Sequence, residues 1–266
     1  MGIKQIVLGC GLLLFLTGKL SAQRSKDEQN LHVYVAPNLG FRMMTGYRVP
    51  DKYYASNTFF RDSLNKEDHP GQNLNIGLAY TRKKNALEAV SLGLGYTTVG
   101  FRRSITEVRL GDTIHPKIGI VANLVGSGHL QINQDFRYHY LEFSYLKTKS
   151  VEGYSRNLKE FDLWWTYGLS AGMLVRDRVM VETLGFSNNN GESKIAVKDD
   201  ALRGFPVNMW LNVGYKADYI MFKKTNAFVH GRLRLPLLPS ATGAQTIFLP
   251  QLGIEAGLIF KLNEEK

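Results

Sequence analysis

A single cysteine, Cys10, occurs in 266 residues. It lies inside an N-terminal leader, "MGIKQIVLGCGLLLFLTGKLSAQ", with Lys4, an apolar stretch from Ile6 to Leu16 and a small-residue exit at "LSAQ". That layout is a secretory signal peptide, too short to anchor the chain as a spanning helix. "VLGC" imitates a lipoprotein acceptor site, but too little apolar sequence precedes Cys10 for it to serve as one. Cleavage is expected after Ala22; taking 22 residues from 266 leaves 244, and losing Lys4 and Lys19 lowers the formal charge from +10 to +8. A mature chain without cysteine excludes disulfides, thiolate catalysis and cysteine metal sites.

Long apolar runs are also missing. Nothing after Ala22 approaches the ~20 consecutive apolar residues of a membrane-spanning helix. Helical periodicity is almost absent, and no nucleic-acid recognition motif is present, so a nucleic-acid partner is not expected. His32, His69, His115, His129, His139 and His230 show no metal-ligand spacing and no HExxH helix. No metal, no cofactor and no catalytic residue is therefore expected, and the histidines are read as structural or solvent-facing. A glycine loop for phosphate fails too, because Phe101 and Arg102 follow the Gly95 to Gly100 interval where Lys and Ser or Thr are required.

What the sequence does contain is period-two alternation, in eight segments: Leu31 to Arg42, Asn73 to Thr81, Leu87 to Phe101, Phe136 to Lys147, Phe161 to Leu174, Phe205 to Lys216, Ala227 to Leu238 and Gln251 to Leu262. Each is at least nine residues long, matching the ~9–11 that a tilted strand needs to cross a bilayer. Connection lengths alternate between long and short, the pattern of outer-membrane barrels with long outer loops and short periplasmic turns. The expected fold is all-β, an eight-stranded antiparallel up-and-down transmembrane β-barrel with long extracellular loops and short periplasmic turns. Its expected organisation is a signal peptide over 1–22, a short segment over 23–30, the barrel over 31–262 and a tail over 263–266.

Parity separates two faces. Leu92, Leu94 and Tyr96 oppose Ser91, Gly93, Gly95 and Thr97, and Leu233 and Leu235 oppose His230, Arg232 and Arg234. The apolar set is assigned to lipid and the polar set to the lumen. Glu142, Asp162, Lys216, Arg232, Arg234 and Glu255 then form an ion-paired interior that plugs the barrel. Tyr34, Tyr80, Tyr96, Tyr138, Tyr140, Tyr145, Trp165, Tyr167, Tyr215 and Phe260 are expected in interfacial girdles. Arg102 and Arg103 mark the outer edge, where they meet lipopolysaccharide phosphates. Basic short connections, with Arg82, Lys83, Lys84, Lys147, Lys149, Arg156, Lys159, Lys223 and Lys224, fit either anionic headgroups or solvated turns. "SNNNGESK", between "VMVETLGF" and "KIAVK", reads as a projecting hairpin.

"FRDSLN", "FRYHYLEFSYLK", the ending "GIEAGLIFKLN" and the "LSAQ" exit together resemble the PorT-like outer-membrane β-barrel proteins of Bacteroidetes-type bacteria. The resemblance implies an eight-stranded barrel and, in one branch, participation in type IX protein secretion. The chain departs from the family strand at Phe143, Ser144 and Tyr145, and its tail "NEEK" leaves Phe260 as the nearest candidate for a C-terminal aromatic insertion signal. The expected function is non-enzymatic: structural, partner-binding or secretion-assisting. Expected partners are outer-membrane lipid and lipopolysaccharide, with envelope or secretion-system proteins. Two alternatives share the composition. One is a lipid-modifying enzyme on the same barrel, for which His139 is the candidate base although Leu141, not serine, shares its face. The other is a soluble exported β-sandwich that binds an apolar ligand.

Overall fold

Alternating sequence of this length forms strands, because each strand then presents one uniform surface on either side of the sheet. A computed structural model describes residues 28–47, 68–85, 87–105, 114–115, 119–120, 131–151, 161–184, 193–197, 202–222, 224–243 and 245–262. Eight long strands appear where alternation predicts them: β1 Gln29–Gly40, β2 Asp68–Lys83, β3 Glu88–Ile105, β4 Gln131–Ser150, β5 Phe161–Leu184, β6 Val207–Ile220, β7 Thr225–Pro236 and β8 Gln251–Lys261. Each pairs antiparallel with its sequence neighbours, β8 pairs with β1, and the sheet closes on itself into a barrel. A sandwich of two open sheets is thereby excluded. Closure also removes the unpaired strand edges that would otherwise template aggregation.

The tight connections gather at one end. Between β2 and β3 the Asn85 side-chain oxygen accepts bonds from the Leu87 and Glu88 amides at 2.9 and 2.7 Å, fixing the turn. Between β6 and β7 the Phe222 amide donates to the Thr225 carbonyl at 2.9 Å. The start of β1 and the end of β8 share this end, where the Leu262 amide donates to the Gln29 carbonyl at 2.8 Å.

At the opposite end β3, β4 and β5 run beyond their neighbours, reaching 18, 20 and 24 residues. The alternating segments underestimate these strands, because their polarity stops alternating before their hydrogen bonding stops. Ser193–Val197 pairs back onto Val179–Thr183, the hairpin expected around "SNNNGESK". A four-stranded cap of Leu202–Gly204, Ala241–Gly243, Gln245–Phe248 and Met43–Tyr47 crosses the long-loop end. The signal peptide, "FRDSLN", the side chain of His115, His129, the 152–160 connection with Arg156 and Lys159, Lys223 and the 263–266 tail lie outside the described residues.

Side-chain polarity is inverted relative to a soluble barrel. Val33, Val35, Leu74, Ile76, Leu78, Leu94, Leu141, Phe143, Leu169, Leu211, Leu233, Leu252 and Leu258 are all exposed on the outer surface. Outward positions are free of charge between Arg137 and Lys147 on β4, a span of nine residues. Buried positions, in contrast, include Asn38, Asn75, Ser91, Thr97, Glu142, Arg232, Arg234 and Glu255.

Candidate functional site

The lumen holds most of the ionisable side chains that a bare sheet could not bury, and it divides into three storeys along the barrel axis. In the middle, β7 and β8 lie side by side and point His230, Arg232, Arg234, Gln251 and Glu255 inward, because these residues alternate with Leu233, Leu235, Leu252 and Ile254 on the outer face. Arg234 donates to the Glu142 carboxylate at 2.6 Å and to the Gln251 side-chain oxygen at 2.7 Å. Thr97 donates to the same carboxylate, and the Gln251 amide donates to Asn38 Oδ1 and to the Thr98 carbonyl, each at 2.9 Å. The Arg234 guanidinium lies 4.6 Å from the centre of the Trp210 ring. Such a stack contributes about 0.5–2 kcal/mol.

Next to this network, Arg232 and His230 approach Glu255 at 3.3 and 3.7 Å, and His230 Nε2 bonds the Thr166 hydroxyl at 2.7 Å. Lys216 forms its own pair with Asp218 at 2.8 Å, with its ammonium 5.0 Å from the centre of the Phe228 ring. Five of the six expected lumen residues thus fall, with Asp218, into three pairs rather than one cluster. Asp162 stands across the ladder from Asp218 and enters none of these bonds among the described residues. Asp218 takes the role expected of Asp162. The sixth alternating segment ended at Lys216, and carrying its parity one step further would have brought in Asp218.

Toward the long-loop end the lumen turns apolar. Val99, Phe101, Phe136, Tyr138, Tyr140, Val179 and Trp210 pack with Ala241, Ile247 and Leu249 of the cap, all at most 5% exposed. Phe101 and Phe136 stack at 4.6 Å, and the Tyr140 hydroxyl donates to the Ser240 and Phe205 carbonyls at 3.1 and 3.2 Å. Tyr138 and Tyr140 are therefore core residues and not girdle residues, and Tyr34 is also inward-facing. Tyr34 occupies the recess that Gly77 and Gly95 leave: a Cβ at Gly77 would come within 2.5 Å of its hydroxyl. Tyr80, Tyr96, Tyr145, Trp165, Tyr167, Tyr215 and Phe260 do face outward, and Trp165 meets Tyr215 edge-on at 4.6 Å.

Arg103 corrects a second expectation. It is 7% exposed, faces inward beside Phe101 and Phe136, and pairs with Asp68 at 2.9 Å, so it does not reach the outer edge. Because side chains alternate, only one of two consecutive arginines can face outward. Arg102 is that one, half exposed and 3.9 Å from Asp135. Asp68 also pairs with Arg42, closing a buried trio under the cap.

Toward the tight-turn end the lumen widens into a cavity of about 40 Å³, lined among others by Asn30, His32, Thr81, Ser91, Trp164 and Asn226. Its polar walls suit water, which a space of that size accommodates. At its mouth Lys83 bonds Glu28 at 3.0 Å. Burial alone would raise the Glu28 carboxyl, but Lys83 and the Asn30 amide hydrogen bond outweigh it and hold the group below the usual carboxylate range. His139 faces outward, stacked on Tyr96 at 5.6 Å and 3.3 Å from the Thr98 hydroxyl. Among the described residues no group of three His, Cys, Asp or Glu side chains is arranged to hold a metal ion.

Fold and lumen together define a closed eight-stranded antiparallel barrel that is polar and ion-paired inside and apolar outside. No family model and no curated protein sequence matches the chain. Among solved structures it is similar to the outer membrane protein OprG from Pseudomonas aeruginosa, at 11% identity and a TM-score of 0.39 over 90% of this chain and 97% of that one. It is also similar to Ail, the attachment invasion locus protein of Yersinia pestis, at 11% identity and a TM-score of 0.34 over 89% and 100% of the two chains. A third similar structure is the outer membrane protease OmpT from Escherichia coli, at 10% identity and a TM-score of 0.32 over 91% and 99%.

Proposed function

We propose that the chain is a non-enzymatic outer-membrane β-barrel whose lumen is closed by its own side chains and which acts through its outer loops and surface, as a structural, partner-binding or secretion-assisting envelope component. The observation that carries this reading is the inverted polarity. All eight strands expose apolar side chains outward, including Val33, Leu78, Leu94, Leu141, Leu169, Leu211, Leu233 and Leu252, while arginine–carboxylate pairs fill the centre. In water such a surface would far exceed the few hundred Å² of contiguous apolar patch that soluble monomers tolerate. In a bilayer it is the favourable surface, and the lumen is the only place for charge.

Transport through the barrel is disfavoured by the aromatic packing around Trp210 and Tyr140 and by the cap above it. The signal-peptide reading of the leader and the short-turn end's basic residues fit delivery from the periplasm, with the long loops outside. The resemblance to PorT-like barrels supplies the finer proposal, a role in type IX-like secretion.

The barrel reading is tested by gel mobility of the outer-membrane fraction. A closed membrane barrel stays folded in cold detergent and shifts on boiling; a band that migrates identically with and without heating contradicts it. The secretion reading is tested separately in a deletion strain by the amount of exported protein and by crosslinking from the long loops. Undiminished secretion would remove that role and leave the barrel reading intact.

A further inference from the structure

At the long-loop end of the outer wall, charge is concentrated on β3, β4 and β5. Arg137 on β4 stands directly opposite Arg178 on β5, and His139 stands opposite Arg176. On the adjoining strand β3, Arg102 stands opposite Asp135. All of these residues share the outward parity, and all are at least partly exposed. Asp135 is the one carboxylate on this face among the side chains described; it bonds Arg137 at 2.6 Å and lies 3.9 Å from Arg102. Neither Arg176 nor Arg178 forms an ion pair among the described residues. Asp177, between them in sequence, carries the opposite parity. Like charges directly opposite on a ladder destabilise it, so Arg178 and Arg176, beside an Arg137 that Asp135 already engages, gain from a further anion.

Two features say what that anion is attached to. The apolar belt begins immediately below: Leu141 lies two residues from His139 and opposite Met173, and Tyr96 stands opposite Leu141. Leu141, Met173 and Tyr96 are exposed at 45%, 39% and 38%. The stacked Tyr96 and His139 rings form a flat amphipathic shelf between belt and arginines. An occupant of this wall has acyl chains on Leu141 and Met173 and a phosphate at Arg137, Arg176 and Arg178. The cluster is also at the long-loop end, the outer-leaflet side of an outer-membrane barrel.

We propose that Arg137, Arg176 and Arg178, with Arg102 at their side, form a docking site for the phosphorylated glycolipid of the outer leaflet, which binds by its phosphate above and its acyl chains below. The proposal rests on the outer-membrane reading. It moves the expected lipopolysaccharide contact from the Arg102–Arg103 pair onto the β4–β5 wall, where bidentate guanidinium groups suit phosphate.

The test uses the full chain after signal removal, folded in neutral detergent, and titrates phosphorylated lipid A and its dephosphorylated form by native mass spectrometry. Heat-dependent gel mobility on every sample checks the barrel independently, so a failed membrane reading is distinguished from a failed site. The wild type is expected to bind phosphorylated lipid A in preference. Affinity should fall about fivefold for each arginine removed in Arg176→Gln, Arg176→Gln/Arg178→Gln and Arg137→Gln/Arg176→Gln/Arg178→Gln. The double variant leaves the Asp135 pairs in place and guards against misfolding of the triple. A tight-turn-end control, Arg82→Gln/Lys147→Gln/Lys149→Gln, should bind as the wild type does. Equal binding of dephosphorylated lipid, an unchanged double variant, or full competition by inorganic phosphate would each overturn the site.

Discussion

Replacing Glu142 by leucine removes the carboxylate that holds Arg234, and the structure fixes what is then left behind. The Arg234 and Glu142 side chains are 2% and 5% exposed, so a guanidinium would stay buried with only the Gln251 oxygen and the Trp210 face as partners. Breaking a buried pair from one side costs about 3–5 kcal/mol. Removing both partners in Glu142→Leu/Arg234→Met takes the uncompensated charge away and is expected to recover most of that loss, because well-packed apolar replacements of buried pairs are often neutral. The assay is reversible urea unfolding of the barrel in lipid vesicles, followed by tryptophan emission. A single variant within about 1 kcal/mol of wild type, or a double variant no more stable than the single, would refute the claim that the lumen is held by paired charge.

Three further outcomes follow from the same geometry. Trp210→Ala removes the ring on which Arg234 stacks and which Tyr140 meets edge-on at 5.4 Å; it should cost about 3–5 kcal/mol and raise single-channel conductance in planar bilayers above a closed wild type. Gly77→Val drives a side chain into the Tyr34 hydroxyl and should destabilise by about 1–3 kcal/mol, with Gly77→Val/Tyr34→Phe partly restored in the same urea assay. Glu28→Gln loses the Lys83 bond at the mouth, worth at most about 1 kcal/mol for a partly exposed pair. Since the folded carboxyl sits below its unfolded value, the wild-type advantage should be full above the ordinary carboxylate range, near pH 4, and vanish as pH falls through the folded value; a gap that widens in acid contradicts it.

Strand existence was legible because each segment alternates over nine or more residues, and closure into a barrel followed from the segregation of long and short connections. Parity located Arg232, Arg234, Glu142 and Glu255 inside without any coordinates. The rule that apolar residues face outward stopped working above the belt. At Val99, Phe101, Phe136 and Trp210 the lumen is filled by an apolar plug under the cap, so inward positions there, Tyr138 and Tyr140 among them, read as outward ones, whereas Arg103 is excluded from the outer edge by alternation with Arg102. The cap's four short strands come from three separated connections, a long-range assembly with no local periodicity to announce it. The pairing within the lumen was equally illegible. Whether Lys216 meets Asp218 or Asp162 depends on register and strand length rather than on which residues share a face.

The central claim is that the apolar belt of this barrel contacts lipid while the charges at its level are enclosed in the lumen. Leu94, Leu141, Leu169, Leu211 and Leu252, on five different strands, are replaced one at a time by cysteine in a chain that begins at Gln23 and so holds no other cysteine, spin-labelled and reconstituted in vesicles. Each label is predicted to be relaxed efficiently by oxygen, which concentrates in the bilayer, and hardly at all by a water-soluble nickel complex. Preferential relaxation by the nickel complex at these positions would contradict the account.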